Sequence, residues 1–163
     1  MILLATKVGA ALQSHGMMLA TAESCTGGGV ASAVTEISGS SGWFDRGFVT
    51  YSNQAKVDML SVSTDTLARF GAVSEATVRE MVAGALRHSQ AQIALAVSGI
   101  AGPGGGTPEK PLGMVWFAWG VKDGVSVVRL HQLAGNRGEI RAQAVRIALQ
   151  GVLELLGNRT ETT

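Results

Sequence analysis

The sequence predicts an α/β fold: a three-layer α/β/α sandwich whose mixed, mostly parallel five-stranded sheet ends in an antiparallel hairpin. Three observations lead there. Short β-prone runs at residues 17–21, 47–51 and 93–97 are separated by segments of helical periodicity, as in strands joined by helical crossovers. The run 93–97 is apolar throughout, the mark of a strand buried on both faces. Residues 112–121 and 125–133 form two more strands joined by Lys122-Asp123-Gly124, and Asp-Gly in that position is a hairpin signal.

Residues 2–15 carry Leu4, Val8, Ala11 and Leu12 at helical spacing, with Gly16 placed to end the helix. After strand 17–21, the small polar stretch 21–28 turns into a second helix over 27–38, with Thr26 as its N-cap. Gly39-Ser40-Ser41-Gly42 is a loop. Beyond strand 47–51, Ser52-Asn53 caps a short helix holding Lys56 and Met59. Ser63 caps another helix through Phe70, closed by Gly71. Ser74 opens a third, on which Val78, Met81, Val82, Ala85 and Leu86 share one face. After the hairpin, Asn136 and Glu139 have capping-box spacing and open a long helix to about Leu156. Ala144, Ile147, Ala148, Gly151 and Leu155 form its apolar stripe. The tail from Gly157 is polar and expected to fray. Without repeat or linker, residues 1–163 read as one domain.

A chain of 163 residues buries roughly two-thirds of its unfolded surface, enough for a core without staples. Apolar residues make up 46% and charged ones only 15%, so hydrophobic surface must be covered in the fold or in an interface. The high apolar content and the Trp-bearing strand point to a homodimer with a substantial apolar interface. The net charge of +1 leaves no footprint for nucleic acid and no polybasic membrane patch. No apolar run approaches the ~18 residues of a membrane span, and no secretory signal is expected. The single cysteine fits a reducing cytoplasm. The three histidines are isolated and no metal-ligand spacing is present, so neither metal nor cofactor is expected. The glycine cluster 99–106 is neither a Walker A loop nor a GxGxxG after the first strand, and reads as a site loop.

In open α/β sheets, ligands sit outside the carboxyl ends of the strands. Three such ends are rich in small polar residues: Glu23-Ser24-Cys25-Thr26, Thr50-Tyr51-Ser52-Asn53 and Ser98-Gly99. Together they suggest one pocket. The turn 21–28 is either an ordinary tight connection or a cradle of hydroxyls and N–H groups for a developing oxyanion. A serine nucleophile there needs a base. His15 and His88 lie near helix C-termini, where a cation meets the dipole, and His131 lies on an edge strand.

Lys56 follows the second strand, and a neutral lysine can deprotonate a serine. Lowering its pKa from about 10.4 to about 7.5 takes roughly 4 kcal/mol of desolvation or like-charge repulsion, available from a buried pocket with a nearby arginine. The alternative is a solvated helix lysine. Cys25 is intrinsically more nucleophilic, but no histidine is placed to activate it, and a buried small hydrophobe is the other reading. Tyr51 either contacts a ligand or closes the sheet end. Trp116, Phe117 and Trp119 read as core or interface. Arg137 and Arg141 fall one turn apart at the start of the last helix, an unfavourable dipole position for cations. They are anion-binding, for example to a phosphate, or simply solvated.

The segments TAESCTGG (21–28), GSSGWFDRGFVTYSNQAKVDML (39–60), GAVSE (71–75), SGIAGPGGG (98–106) and KPLGMVWFAW (110–119) resemble the CinA C-terminal domain family over nearly the whole chain. The resemblance implies hydrolysis of the carboxamide of nicotinamide mononucleotide to nicotinate mononucleotide and ammonia, without a metal. It implies Ser24 as nucleophile, Lys56 as general base, and the amides of Cys25, Thr26, Gly27 and Gly28 around the oxyanion. Tyr51, Asn53, Ser98 and Gly99 would line the nucleotide pocket. Family members often read Gly-Asp-Arg where this chain has Gly135-Asn136-Arg137, a departure that bears on how Arg137 is oriented. Two other readings of the same residues are a nucleotide-binding regulatory module and a Ser–Lys hydrolase of another amide or ester.

Overall fold

The computed structural model describes the backbone of residues 1–161 and the side chains of residues 1–157. Six helices and five strands follow the order α1(Ile2–Ser14), β1(Leu19–Glu23), α2(Gly29–Thr35), β2(Phe44–Val49), α3(Asn53–Leu60), α4(Thr64–Phe70), α5(Glu75–Arg87), β3(Ile93–Gly99), β4(Met114–Val121), β5(Ser126–Gln132) and α6(Arg137–Glu161), with a 3-10 turn at Ser40–Gly42. The sheet order is β2-β1-β3-β4-β5. β1 runs parallel to both β2 and β3, whereas β3–β4 and β4–β5 are antiparallel. The chain leaves β1 toward β2 on one side and returns to β3 on the other. β1 is therefore flanked by the crevice where open sheets bind ligands.

The pleat divides the residues of β1 between two cores. Leu19 joins Val8, Leu12, Val30, Ile93, Phe117 and the α6 stripe, while Ala20 and Ala22 join the opposite cluster with Val78, Met81 and Val82. That second cluster presents alanine from three strands (Ala20, Ala22, Ala94, Ala96, Ala118), so α5 lies close on the sheet. On the first face, Phe117 and Trp119 stack at 5.8 Å, and the Trp119 indole N–H donates to the Ala148 carbonyl at 2.8 Å. A Cβ on Gly151 would lie 2.1 Å from that indole, so glycine is what lets α6 pass over it.

Every expected cap but Thr26 follows the expected chemistry. The side chains of Ser52, Ser63 and Ser74 accept N–H groups from the first turns of α3, α4 and α5. Asn136 and Glu139 form a reciprocal capping box, at 2.9 and 3.1 Å. The differences from expectation are local. β1 runs on to Glu23 and β2 begins at Phe44 because the two strands pair from Leu19↔Phe44 to Glu23↔Val49. α2 starts only at Gly29, since Gly27 and Gly28 have φ of +59° and +100°, and beyond Thr35 the chain winds tighter, Ile37 N–H bonding to Val34. Instead of fraying from Gly157, α6 continues to Glu161, and Thr162 and Thr163 lie outside the described residues.

A Cβ on Gly84 of α5 would stand 1.9 Å from the Leu60 carbonyl oxygen, a backbone atom that cannot rotate away. Gly84→Ala should therefore force α3 and α5 apart and destabilise the fold by about 2 kcal/mol. Thermal unfolding should register this as a Tm lower by roughly 4–8 °C, and an unchanged Tm would show that the contact has slack.

Candidate active site

Ser24 leaves the end of β1 held from both sides. Its N–H donates to Val97 O of β3 at 3.0 Å, and Thr50 N–H, just past β2, donates to Glu23 O at 2.8 Å. The sheet thus pins the residue before the turn to both neighbours. A cavity of about 240 Å³ opens there, lined by Ser24, Cys25, Tyr51, Gly99, the 100–105 loop and Arg137. Clefts of about 310 Å³ between α5 and the β4–β5 hairpin, and about 380 Å³ between α1 and α6, contain no paired nucleophile and base.

Lys56, in the first turns of α3, is fully buried, its side chain running inward to Ser24. Its Nζ lies 3.0 Å from Ser24 Oγ, 2.8 Å from Thr50 O, 3.3 Å from Tyr51 O and 3.5 Å from Ser52 O. Three successive carbonyls converge on one nitrogen because the chain turns there from β2 into α3. As an ammonium, Nζ donates to Ser24 Oγ. As a neutral amine it keeps N–H groups for Thr50 O and Tyr51 O and turns its lone pair to the serine hydroxyl. Burial pulls its pKa down from 10.5 to about 8, with Cys25 acting in the opposite direction. The expected arginine plays no part in this shift: desolvation alone lowers it.

Cys25 is buried, and burial pushes its thiol up to about 11, so it is protonated at neutral pH and a poor nucleophile. Thr26 is not the N-cap of α2. That position belongs to Gly28 in a left-handed conformation, and the Thr26 hydroxyl instead donates to Glu23 Oε1 at 2.6 Å. The Glu23 carboxylate also accepts Val30 N–H at 2.8 Å and Ala31 N–H at 3.1 Å, so it caps α2 from the neighbouring strand. Glu23 was not among the expected site residues. Its only signal in the sequence is an acid a few residues ahead of a helix whose own cap position is glycine. Gly27 N–H is taken by Ser24 O at 3.0 Å, whereas among the described residues no oxygen accepts the N–H of Cys25, Thr26 or Gly28, the first of which faces its own thiol.

The remaining candidates divide. Tyr51 is exposed at the cavity wall, its hydroxyl accepting from Arg137 Nη2 at 3.2 Å, and Arg137 Nη1 also donates to Gly102 O at 2.9 Å. The capping box of Asn136 sets the start of the helix that carries Arg137. Arg141 is turned away from the cavity onto the turn itself: Nε donates to Cys25 O at 3.0 Å and Nη2 to Thr26 O at 3.2 Å. Two of its donors thus go to carbonyls of the turn. Gly99 lines the cavity, where a Cβ would meet Val115 Cγ2 at 2.6 Å. Asn53 and Ser98 do not: Asn53 is an exposed first residue of α3, and Ser98 is buried in β3 opposite Trp116.

The CinA C-terminal domain family matches residues 2–156. The nicotinamide-nucleotide amidohydrolase PncC of Enterobacter agglomerans is 52% identical over 150 residues, 92% of each chain. The protein of that name from Pseudomonas putida is 49% identical over 153 residues, 93% of this chain and 94% of the other. Among solved structures, the competence/damage inducible protein CihA from Agrobacterium tumefaciens superposes with a TM-score of 0.92 at 49% identity, over 94% of both chains. A CinA superfamily protein from Klebsiella pneumoniae does so with 0.93 at 43% identity, over 96% of this chain and 98% of the other. The chain belongs to the CinA C-terminal domain family.

Proposed function

We propose that this chain is a nicotinamide-nucleotide amidohydrolase, converting nicotinamide mononucleotide and water to nicotinate mononucleotide and ammonia through a Ser24–Lys56 dyad. The observation that carries this reading is the buried Lys56 Nζ 3.0 Å from Ser24 Oγ, with its pKa pulled down to about 8. A lysine that only paired with a phosphate would gain nothing from burial on three carbonyls, which disfavours a purely nucleotide-binding module. Relatives with the amidohydrolase name, near 50% identity over nearly their whole length, support this substrate over another amide or ester.

In the proposed sequence, Ser24 Oγ attacks the carboxamide carbon as its proton passes to Lys56 Nζ. The oxyanion forms against the N–H groups of Cys25 and Thr26, with Gly28 beside them. Lys56 then returns its proton to the departing nitrogen, the C–N bond breaks, and ammonia leaves an acyl ester on Ser24. Water, deprotonated by Lys56, hydrolyses that ester and frees the acid and the serine. Tyr51 and Arg137, joined at the mouth, form the cavity wall nearest the nucleotide's ring and phosphate. The glycine loop continues that wall through the bond from Arg137 to Gly102 O, and Gly99 belongs to the same lining. We place the reaction in the cytoplasm, with the single cysteine reduced; among the described residues, no helix is long and apolar enough to cross a membrane.

Ser24→Ala should abolish ammonia release while nucleotide binding stays within about tenfold, because the hydroxyl acts mainly in the transition state. Cys25→Ala should keep most of the activity. A thiol reagent that inactivates wild type but spares Cys25→Ala would move the nucleophile to Cys25.

The base must be neutral to act, so kcat/KM should rise with pH through a single deprotonation near 8 and then level off. Lys56→Arg keeps a cation but offers no lone pair, and should lose about 10³-fold or more in kcat. An arginine variant with near-wild-type kcat and altered KM would sink the dyad.

We further propose a homodimer. Of the aromatic residues of β4, Phe117 and Trp119 are buried under α6 and Trp116 is half-buried, so they add little exposed surface. The support comes from the exposed edge strand β5, with Leu130, and from Ile2 and Leu3 at the start of α1. Sedimentation at micromolar concentration should give a dimer, and a monomer would refute it.

A further inference from the structure

We propose that Glu23 is a positioning residue: with Arg141 opposite, its carboxylate clamps the turn 24–28 so that the Cys25 and Thr26 amides stay directed at the reacting carboxamide oxygen. This rests on the amidohydrolase reading and deepens it. Glu23 and Lys56 are the two charged side chains fully buried among the described residues, one on either side of Ser24 in the sequence. A carboxylate in a core is strongly unfavourable unless its oxygens are met by donors. Here three donors meet them: Thr26 Oγ1 at 2.6 Å, Val30 N–H at 2.8 Å and Ala31 N–H at 3.1 Å.

A residue at the helix N-cap ordinarily fills this role. In this chain the N-cap is Gly28, left-handed and without a side chain. Moving the cap to β1 lets a single carboxylate bind the helix start and the turn to the strand that carries Ser24. Arg141 grips the turn from the other side through Cys25 O and Thr26 O. In a trans peptide the N–H points opposite to the C=O, so these bonds turn the N–H of Thr26 and Gly27 away from Arg141. Ser24 O takes the Gly27 N–H, and the Thr26 N–H is left for a ligand. Neither Glu23 nor Arg141 lines the cavity; both act through the turn.

Glu23→Gln keeps the size of the side chain but sets an NH2 group against one of the three donors. The N–H groups should then lose their alignment, and kcat for nicotinamide mononucleotide should fall about 10²-fold, the scale of losing one oxyanion donor. KM should stay within about threefold. Thr26→Val, which removes the hydroxyl that meets Glu23, should fall in the same direction, and further than Thr26→Ser, which keeps it. The second readout uses no substrate. In the folded Glu23→Gln protein, the Cys25 and Thr26 amide 1H–15N signals should shift and exchange faster, while that of Leu95 in β3 stays put. If Glu23→Gln does not fold, Thr26→Val and Arg141→Lys carry the same two measurements. Unmoved Cys25 and Thr26 amides, or a change confined to KM, would overturn the clamp. Wild type that releases no ammonia would refute the activity, and the amide signals would still decide the clamp.

Discussion

Lys56 sits where a lysine is hardest to keep. Its nitrogen is removed from water, ringed by the carbonyls of residues 50–52, and 3.0 Å from the Ser24 hydroxyl. A pKa pulled from 10.5 to about 8 amounts to about 3 kcal/mol by which the fold disfavours the ammonium. The sign follows from linkage: between these values the unfolded chain holds the proton and the native one does not, so stability rises with pH across the window. Below about pH 8 the whole cost is present. The native state tolerates it because the carbonyls give the nitrogen partners in either protonation state. The rest of the site depends on that compromise. β1 must end where Ser24 meets the nitrogen, β2 must turn into α3 so that three carbonyls converge, and Ser52 must start the helix four residues earlier.

The topology makes this meeting possible. With β1 between β2 and β3, the segments after all three strands emerge at one edge of the sheet, and the crossovers diverge to opposite faces. The two cores reflect the same division: large side chains under α1, α2 and α6, alanines under α5. The hairpin of β4 and β5 extends the sheet and walls the first core with Phe117 and Trp119. It contributes nothing to the dyad itself.

The fold was largely legible because its signals are local. Serine caps at 52, 63 and 74, the Asn136–Glu139 box, the apolar run of β3 and the Asp-Gly hairpin each act over a few residues. The convergence of three polar strand ends was legible too, since the α/β pattern dictates where such ends gather. The hidden features were long-range pairings. Nothing near Arg141 marks it as a partner of carbonyls more than a hundred residues away, and its position at a helix start argued for an anion instead. Thr26 has the chemistry of a cap but not the place, because two left-handed glycines move the helix start past it. Asn53 and Ser98 belong to the right strand ends, yet one sits on the exposed start of α3 and the other is buried in the sheet. Strand-end membership places a residue within a turn of the site; the direction of the side chain is set by the register.

One detail of the core reaches further than its own surroundings. Trp119 bonds to the Ala148 carbonyl, and its indole lies against the notch at Gly151, which fixes the height of α6 along its own axis. A helix rises about 1.5 Å per residue, so Gly151 lies about 21 Å along the rod from Arg137 and about 15 Å from Arg141. α6 is thus a gauge rod, keyed into the sheet at one end and setting two arginines at the other. Positions 119 and 151 therefore bear on how the helix that carries both arginines is seated, although neither lines the cavity at Ser24.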